Sequence, residues 1–155
     1  MATVSRSFVN PSQSGLVKAG PSPEVECGQI AINWYSTGGI TLPCTMTYTR
    51  VQGVVTFIVK GAGSFTGSAA SALMKMDLPW PVYGLYDYQF DFYMDHNTAG
   101  TAAAFAEVGG AGGTEVLFYA QPPGSPVSRT AVFDTDVDSS PAFQMSGVVK
   151  VTEEW

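Results

Sequence analysis

From residue 27 onward, hydrophobic and polar positions alternate with a period of two. Ile30, Ile32 and Trp34 share one face of a run whose other face carries Gln29, Ala31 and Asn33. In 44–51, Cys44, Met46, Tyr48 and Arg50 alternate with Thr45, Thr47 and Thr49. The run 54–60 is β-branched and aromatic and is bounded by Gly53 and Gly61. In 87–94, Tyr88, Phe90, Phe92 and Met94 point one way and Asp87, Gln89, Asp91 and Tyr93 the other. Further short runs follow at 70–76, 101–108, 114–120, 128–133 and 144–152, with turn signals between them. A period of two is that of a strand with one face toward a core. The Ala-rich stretches 68–76 and 102–108 are short and glycine-flanked, which favours strand over helix. Eight or nine short strands without a clear helix predict an all-β sandwich or barrel.

Residues 1–26 follow a different rule. Pro11, Gly15, Gly20, Pro21 and Pro23 interrupt them and no period is sustained. This predicts an extended arm or tether at 1–26 and a folded domain at 27–155. At 155 residues the chain fits one domain able to bury a core.

Composition narrows the function classes. Only 13% of residues are charged and 45% are hydrophobic. Such a surface is either covered in part by partner subunits or rich in Ser, Thr and Gly. The net charge is -6, and the seven cations, Arg6, Lys18, Arg50, Lys60, Lys75, Arg129 and Lys150, are scattered. Without clustered cations, neither nucleic acid nor an anionic membrane is an expected partner. No apolar run approaches the roughly 20 residues that span a bilayer. The first fifteen residues lack the apolar core of a secretory signal, so synthesis in a cytosol is expected. Cys27 and Cys44 are compatible with a disulfide, but two buried thiols are the expected state in that compartment.

Little of the sequence suggests catalysis. His96, the single histidine, stands in a polar break after a strand and reads as a turn residue. No Gly-x-Ser-x-Gly or His-Glu-x-x-His motif occurs. The glycines of Gly61-Ala62-Gly63-Ser64 lack the spacing of a dinucleotide loop and predict a hairpin. Asp87 and Asp91 on one strand face stand roughly 13 Å apart, too far for the paired carboxylates of glycoside hydrolysis. A non-enzyme is expected. Asp134, Asp136 and Asp138 alternate in a loop and could converge on calcium, although the glycine and terminal acid of a helix–loop–helix site are missing. A solvated acidic loop is the other reading, and no cofactor is otherwise expected. Trp80, Tyr83 and Tyr86 lie in a Pro-rich connection. They are candidates to stack on sugar rings or a partner, unless Trp80 plugs the end of the fold.

Three motifs then occur in order. Tyr48-Thr-Arg-Val-Gln-Gly-Val-Val-Thr56 resembles a strand–turn–strand signature of phage and other viral jelly-roll domains. Leu78-Pro-Trp-Pro81 is similar to their Leu-Pro-Phe-Pro segment, and Ser146-Gly-Val-Val-Lys-Val151 to their closing strand. The resemblance runs from about Trp34 to the C-terminus. The acidic loop at 134–138 and the terminal Glu153-Glu154-Trp155 depart from it. It implies a jelly-roll sandwich similar to the trimeric heads of the complement and tumour-necrosis-factor families. A homotrimer is implied, with Tyr48 and Trp155 as candidates for the subunit contact and residues 1–26 tethering it to other virion proteins. The expected function is a structural subunit of a capsid, spike or tail fibre, located in the virion and able to contact a host glycan or receptor. A carbohydrate-binding β-sandwich module is the alternative.

Overall fold

A computed structural model of the protein describes residues 2–4, 25–83, 88–94, 103–108, 112–121, 129–137 and 142–151. Ten strands follow in chain order: β1 (Ala2–Val4), β2 (Val25–Ser36), β3 (Thr41–Val51), β4 (Val54–Gly61), β5 (Met74–Asp77), β6 (Gln89–Met94), β7 (Ala103–Val108), β8 (Glu115–Gln121), β9 (Thr130–Ala131) and β10 (Phe143–Lys150). A single 3-10 turn, Asp134–Asp136, interrupts them, and no α-helix occurs among the described residues.

The fold is all-β and antiparallel, as the alternation predicts, and its ladders close into a ring. The order is β2-β3-β4-β10-β6-β7-β8-β5, and β5 pairs with both β8 and β2. Instead of two separate stacked sheets, the ladders form one eight-stranded barrel. A barrel of this size has an interior just wide enough for side chains to fill. β1 adds to the outer edge of β2, and β9 to β8.

Alternation decides which residues fill it. Leu42, Cys44, Met46 and Tyr48 of β3 point inward, as do Val55, Phe57 and Val59 of β4 and Met145 and Val149 of β10. Trp34 is fully buried and stacks on Phe143 at 4.5 Å, with Phe118 at 5.7 Å and Phe65 at 5.6 Å. Phe57 and Phe90 meet edge to face at 5.2 Å. This pair occupies the space beside Gly147, where a Cβ would run into Phe90 Cδ1. The apolar-in, polar-out pattern is the reverse of a barrel that faces lipid.

The β3–β4 hairpin turns on two residues, with Val51 paired to Val54. Gln52 and Gly53 both take positive φ, 50° and 77°. That is the turn whose twist matches its strands, and it explains glycine at 53. Two other expectations change. The loop after Gly61 is no hairpin: residues 62–73 cross one end of the barrel, and β5 emerges between β2 and β8. The predicted strands at 70–76 and 128–133 shrink to Met74–Asp77 and Thr130–Ala131, because their other backbone groups serve that crossing. At the opposite end, residues 78–83 cross beneath the core: Val82 N donates to Gly113 O, and Tyr83 N to Lys150 O.

Replacing Gly147 by Ala forces the Phe57–Phe90 pair apart. A loss of about 1–3 kcal/mol is expected from overpacking, read as a lower denaturant midpoint with an unchanged slope.

Candidate assembly face and buried polar sites

The barrel exterior has two halves of different chemistry. On β2, β3, β4 and β10 the exposed positions are Cys27, Gln29, Ala31 and Asn33; Pro43, Thr45, Thr47 and Thr49; Val54, Thr56, Ile58 and Lys60; and Gln144, Ser146, Val148 and Lys150. They carry no carboxylate and two lysines. Cross-strand register lines them into rows: Gln29, Thr47, Ile58 and Ser146 form one, and Cys27, Thr49, Thr56 and Val148 the next. Ile58 and Val148 are 44% and 54% exposed at the centre of this face. Two shallow grooves of about 390 and 450 Å³ flank Lys60. Gln29, Thr47 and Ile58 line one; Tyr93, Phe143 and Gln144 line the other.

The half formed by β6, β7, β8 and β5, with residue 129 beside it, carries the ion pairs of the exterior among the described residues. Lys75 Nζ lies 3.0 Å from Glu115 Oε2, and Arg129 Nη1 lies 3.8 Å from Glu107 Oε2. Tyr35 donates its hydroxyl to Asp77 Oδ2 at 2.7 Å. Burial first, then Asp77, pushes the Tyr35 phenol up to about 12. Among the described residues, the carboxylates on the strands' outer faces thus collect on one side of the ring.

Each end of the barrel holds a buried polar group. At the first, Asp134 is 2% exposed. Its Oδ2 accepts from Ser36 Oγ at 2.7 Å and Ala70 N at 2.9 Å, and its Oδ1 accepts from Ala72 N at 3.1 Å. Ser71 sits at φ 56° between those amides, which turns successive N–H groups toward one carboxylate. Burial opposes the Asp134 charge, but hydrogen bonds from Ala70, Ser36, Ala72 and Ser71 outweigh it and hold the carboxyl below its usual range. This clamp ties the 62–73 crossing to the end of β2.

At the second end, Tyr48 donates its hydroxyl to Glu26 Oε1 at 2.7 Å, and Arg50 Nη1 stands 4.0 Å from Glu26 Oε2. All three are buried. Burial, reinforced by Glu26, pushes the Tyr48 phenol up to about 12. Trp80 lies edge-on to Tyr48 at 4.7 Å and closes the end.

These positions change the roles expected from sequence. Asp134 and Asp136 belong to no group of three or more metal-ligating side chains among the described residues. Both Asp134 oxygens are taken by protein donors, and Asp136 Oδ2 accepts from Phe133 N at 2.9 Å. Asp138 lies outside the described residues. Trp80 is 7% exposed and packs inside the end of the barrel, as a plug does. Tyr83 is exposed, with Lys150 Nζ 4.5 Å above its ring; Tyr86 lies outside the described residues. Tyr48 is 2% exposed inside the barrel, so its ring is not offered to a neighbouring subunit. Trp155 and His96 also lie outside the described residues. Cys27 and Cys44 are free thiols, but only Cys44 is buried; Cys27, expected to be buried as well, is exposed because it falls on the outward face of β2. Cys27 pairs with Thr49, so the two thiols sit on opposite faces about 17 Å apart along β3, beyond disulfide reach. Sequence reasoning missed Glu26. Its signal was Arg50 at an inward position of β3, which demands a buried acid.

Comparison of the chain with family models, with curated proteins and with solved structures returns no match.

The clamp has a pH signature. The folded carboxyl of Asp134 lies below its unfolded value, so its contribution is complete above about pH 4 and is lost as pH falls through the folded value. Asp134→Asn turns an acceptor into a donor that faces N–H groups. About 2–4 kcal/mol is expected to be lost at pH 7. Urea midpoints taken from pH 7 to pH 2 should show the gap between wild type and variant narrowing below about pH 4.

Proposed function

We propose that the protein is a structural subunit of a virion, a jelly-roll barrel that assembles as a homotrimer into a capsid, spike or fibre and can contact a host receptor. The observation that carries this reading is the partition of charge around the ring. On a jelly-roll reading, β2-β3-β4-β10 and β6-β7-β8-β5 are the two sheets. The first presents the face poor in charge, with β-branched and hydroxyl side chains in register. Burying Ile and Val is favourable and threonine hydroxyls can hydrogen-bond across a contact, whereas burying unpaired carboxylates costs several kcal/mol each. The charge-poor face therefore suits contact between copies, and the ion-paired half suits water. Three further features support a viral kind of head. They are the two-residue turn inside the Tyr48–Thr56 motif, the Leu78–Pro81 crossing, and Ser146-Gly147, where the glycine admits Phe90. The part of residues 1–26 outside β1 and β2 would bind the head to other virion proteins.

A charge at the centre of the face tests this. Ile58→Glu is expected to lower the mass in solution at micromolar concentration from trimer to monomer, while Thr130→Glu on the opposite side leaves it unchanged. A wild-type monomer by light scattering overturns the reading.

The grooves beside Lys60 favour a second reading, a carbohydrate-binding module. Tyr93 is 61% exposed at one rim, with Gln144 and Thr45 near it. An aromatic face beside neutral hydrogen-bonding groups is what a sugar ring needs. Under this reading the protein is retained on a glycan array and Tyr93→Ala reduces retention at least tenfold. No retention of the wild type rejects it.

A further inference from the structure

We propose that β1 is exchanged between copies, so that residues 2–4 of one subunit pair with β2 of its neighbour. This rests on the assembly reading above and names the segment that links the subunits.

The inference starts from the edge of β2. One side of β2 pairs with β3 along its length, from Val25↔Val51 to Tyr35↔Thr41. On the other side, β5 takes Trp34–Ser36 and β1 takes Ala2↔Cys27, Thr3↔Glu26 and Val4↔Val25. Between them, residues 28–33 have no ladder partner on this second side among the described residues. β1 thus docks on an open stretch in the wall of an otherwise closed ring, and an open strand edge is a template for another chain.

The connection does not favour the subunit's own strand. Val4 and Val25 are paired, so a two-residue turn would join them. Residues 5–24 lie between them instead, twenty in number, with Pro11, Pro21 and Pro23. Fully extended they span at most about 70 Å, enough to reach an adjacent subunit. The ladder is the same whichever subunit supplies β1. Only chain entropy separates the two arrangements, and each doubling of loop length changes it by about 0.6 kcal/mol. A neighbour held in an assembly presents its β2 edge at millimolar effective concentration. β2 also belongs to the charge-poor face, so a neighbour's arm arrives beside the subunit contact.

Cys27 supplies the readout. Ala2 is its register partner, and antiparallel partners lie about 4.5–5.5 Å apart between Cα atoms, within disulfide range. The full chain carrying Ala2→Cys, with Cys44→Ala to remove the buried thiol, is assembled at micromolar concentration and mildly oxidised. The expected result on a non-reducing gel is covalent multimers no larger than the assembly measured by light scattering. They should vanish when Cys27→Ser is added, and should be absent when Ala2 is retained. A multimer by light scattering that yields only internally crosslinked monomer on the gel overturns the exchange and leaves the assembly reading standing. A multimer that yields no crosslink overturns it too, because β1 then does not pair in this register. A monomer by light scattering removes the assembly reading and the exchange with it.

Discussion

The structure depends on the closure of its sheet by β5. Four residues, Met74–Asp77, carry two ladders, to β2 through Trp34↔Met76 and to β8 through Met76↔Val116. Without β5, the two halves of the ring would meet only at β10, and β2 and β8 would each expose an edge. Closure also dictates the rest of the layout. β5 can reach its slot only if the chain crosses the barrel end after β4, and β6 can begin only if the chain crosses back at the other end. Each crossing is secured by one buried group, Asp134 at the first and Trp80 at the second.

The polar groups inside the barrel do different work from the hydrophobic ones. The core from Trp34 to Phe143 supplies bulk stabilisation that tolerates some rearrangement. The Glu26–Tyr48–Arg50 cluster is a poor source of net stability, since two charges lose their water to make it. It specifies register instead. A slip of one residue along β3 would send Arg50 outward and bring the threonines in, leaving Glu26 buried without its cation. Asp134 acts in a similar way on the 62–73 crossing, because its carboxylate satisfies amides that no strand can pair.

Strand positions and their two faces were legible wherever alternation ran for six residues or more, as in β3, β4 and β6. Ring closure was not, because β5 is four residues long and nothing local says which strands it joins. The acidic loop misled for a related reason. Asp134, Asp136 and Asp138 read as a cluster along the chain, yet the partners of Asp134 come from Ser36 and from residues 70–72, far away in sequence. Tyr48 misled in the opposite direction. The resemblance placed it at a subunit contact, while its position among Cys44, Met46 and Arg50 put it on the inward face. The charge-poor exterior was visible only as low overall composition. Its confinement to one half of the ring required the strand order.

Strand order also sets when this chain can fold during synthesis. β2-β3-β4 and β6-β7-β8 are runs of sequence neighbours that can form as soon as they leave the ribosome. β10, which joins them, follows all the others in the chain and pairs with β4 over eight residues. Until residue 150 has emerged, β4 and β6 keep unpaired edges next to a core open to water. Completion of the barrel therefore waits for β10, and a nascent chain stalled before β10 is the species most exposed to aggregation and to chaperones.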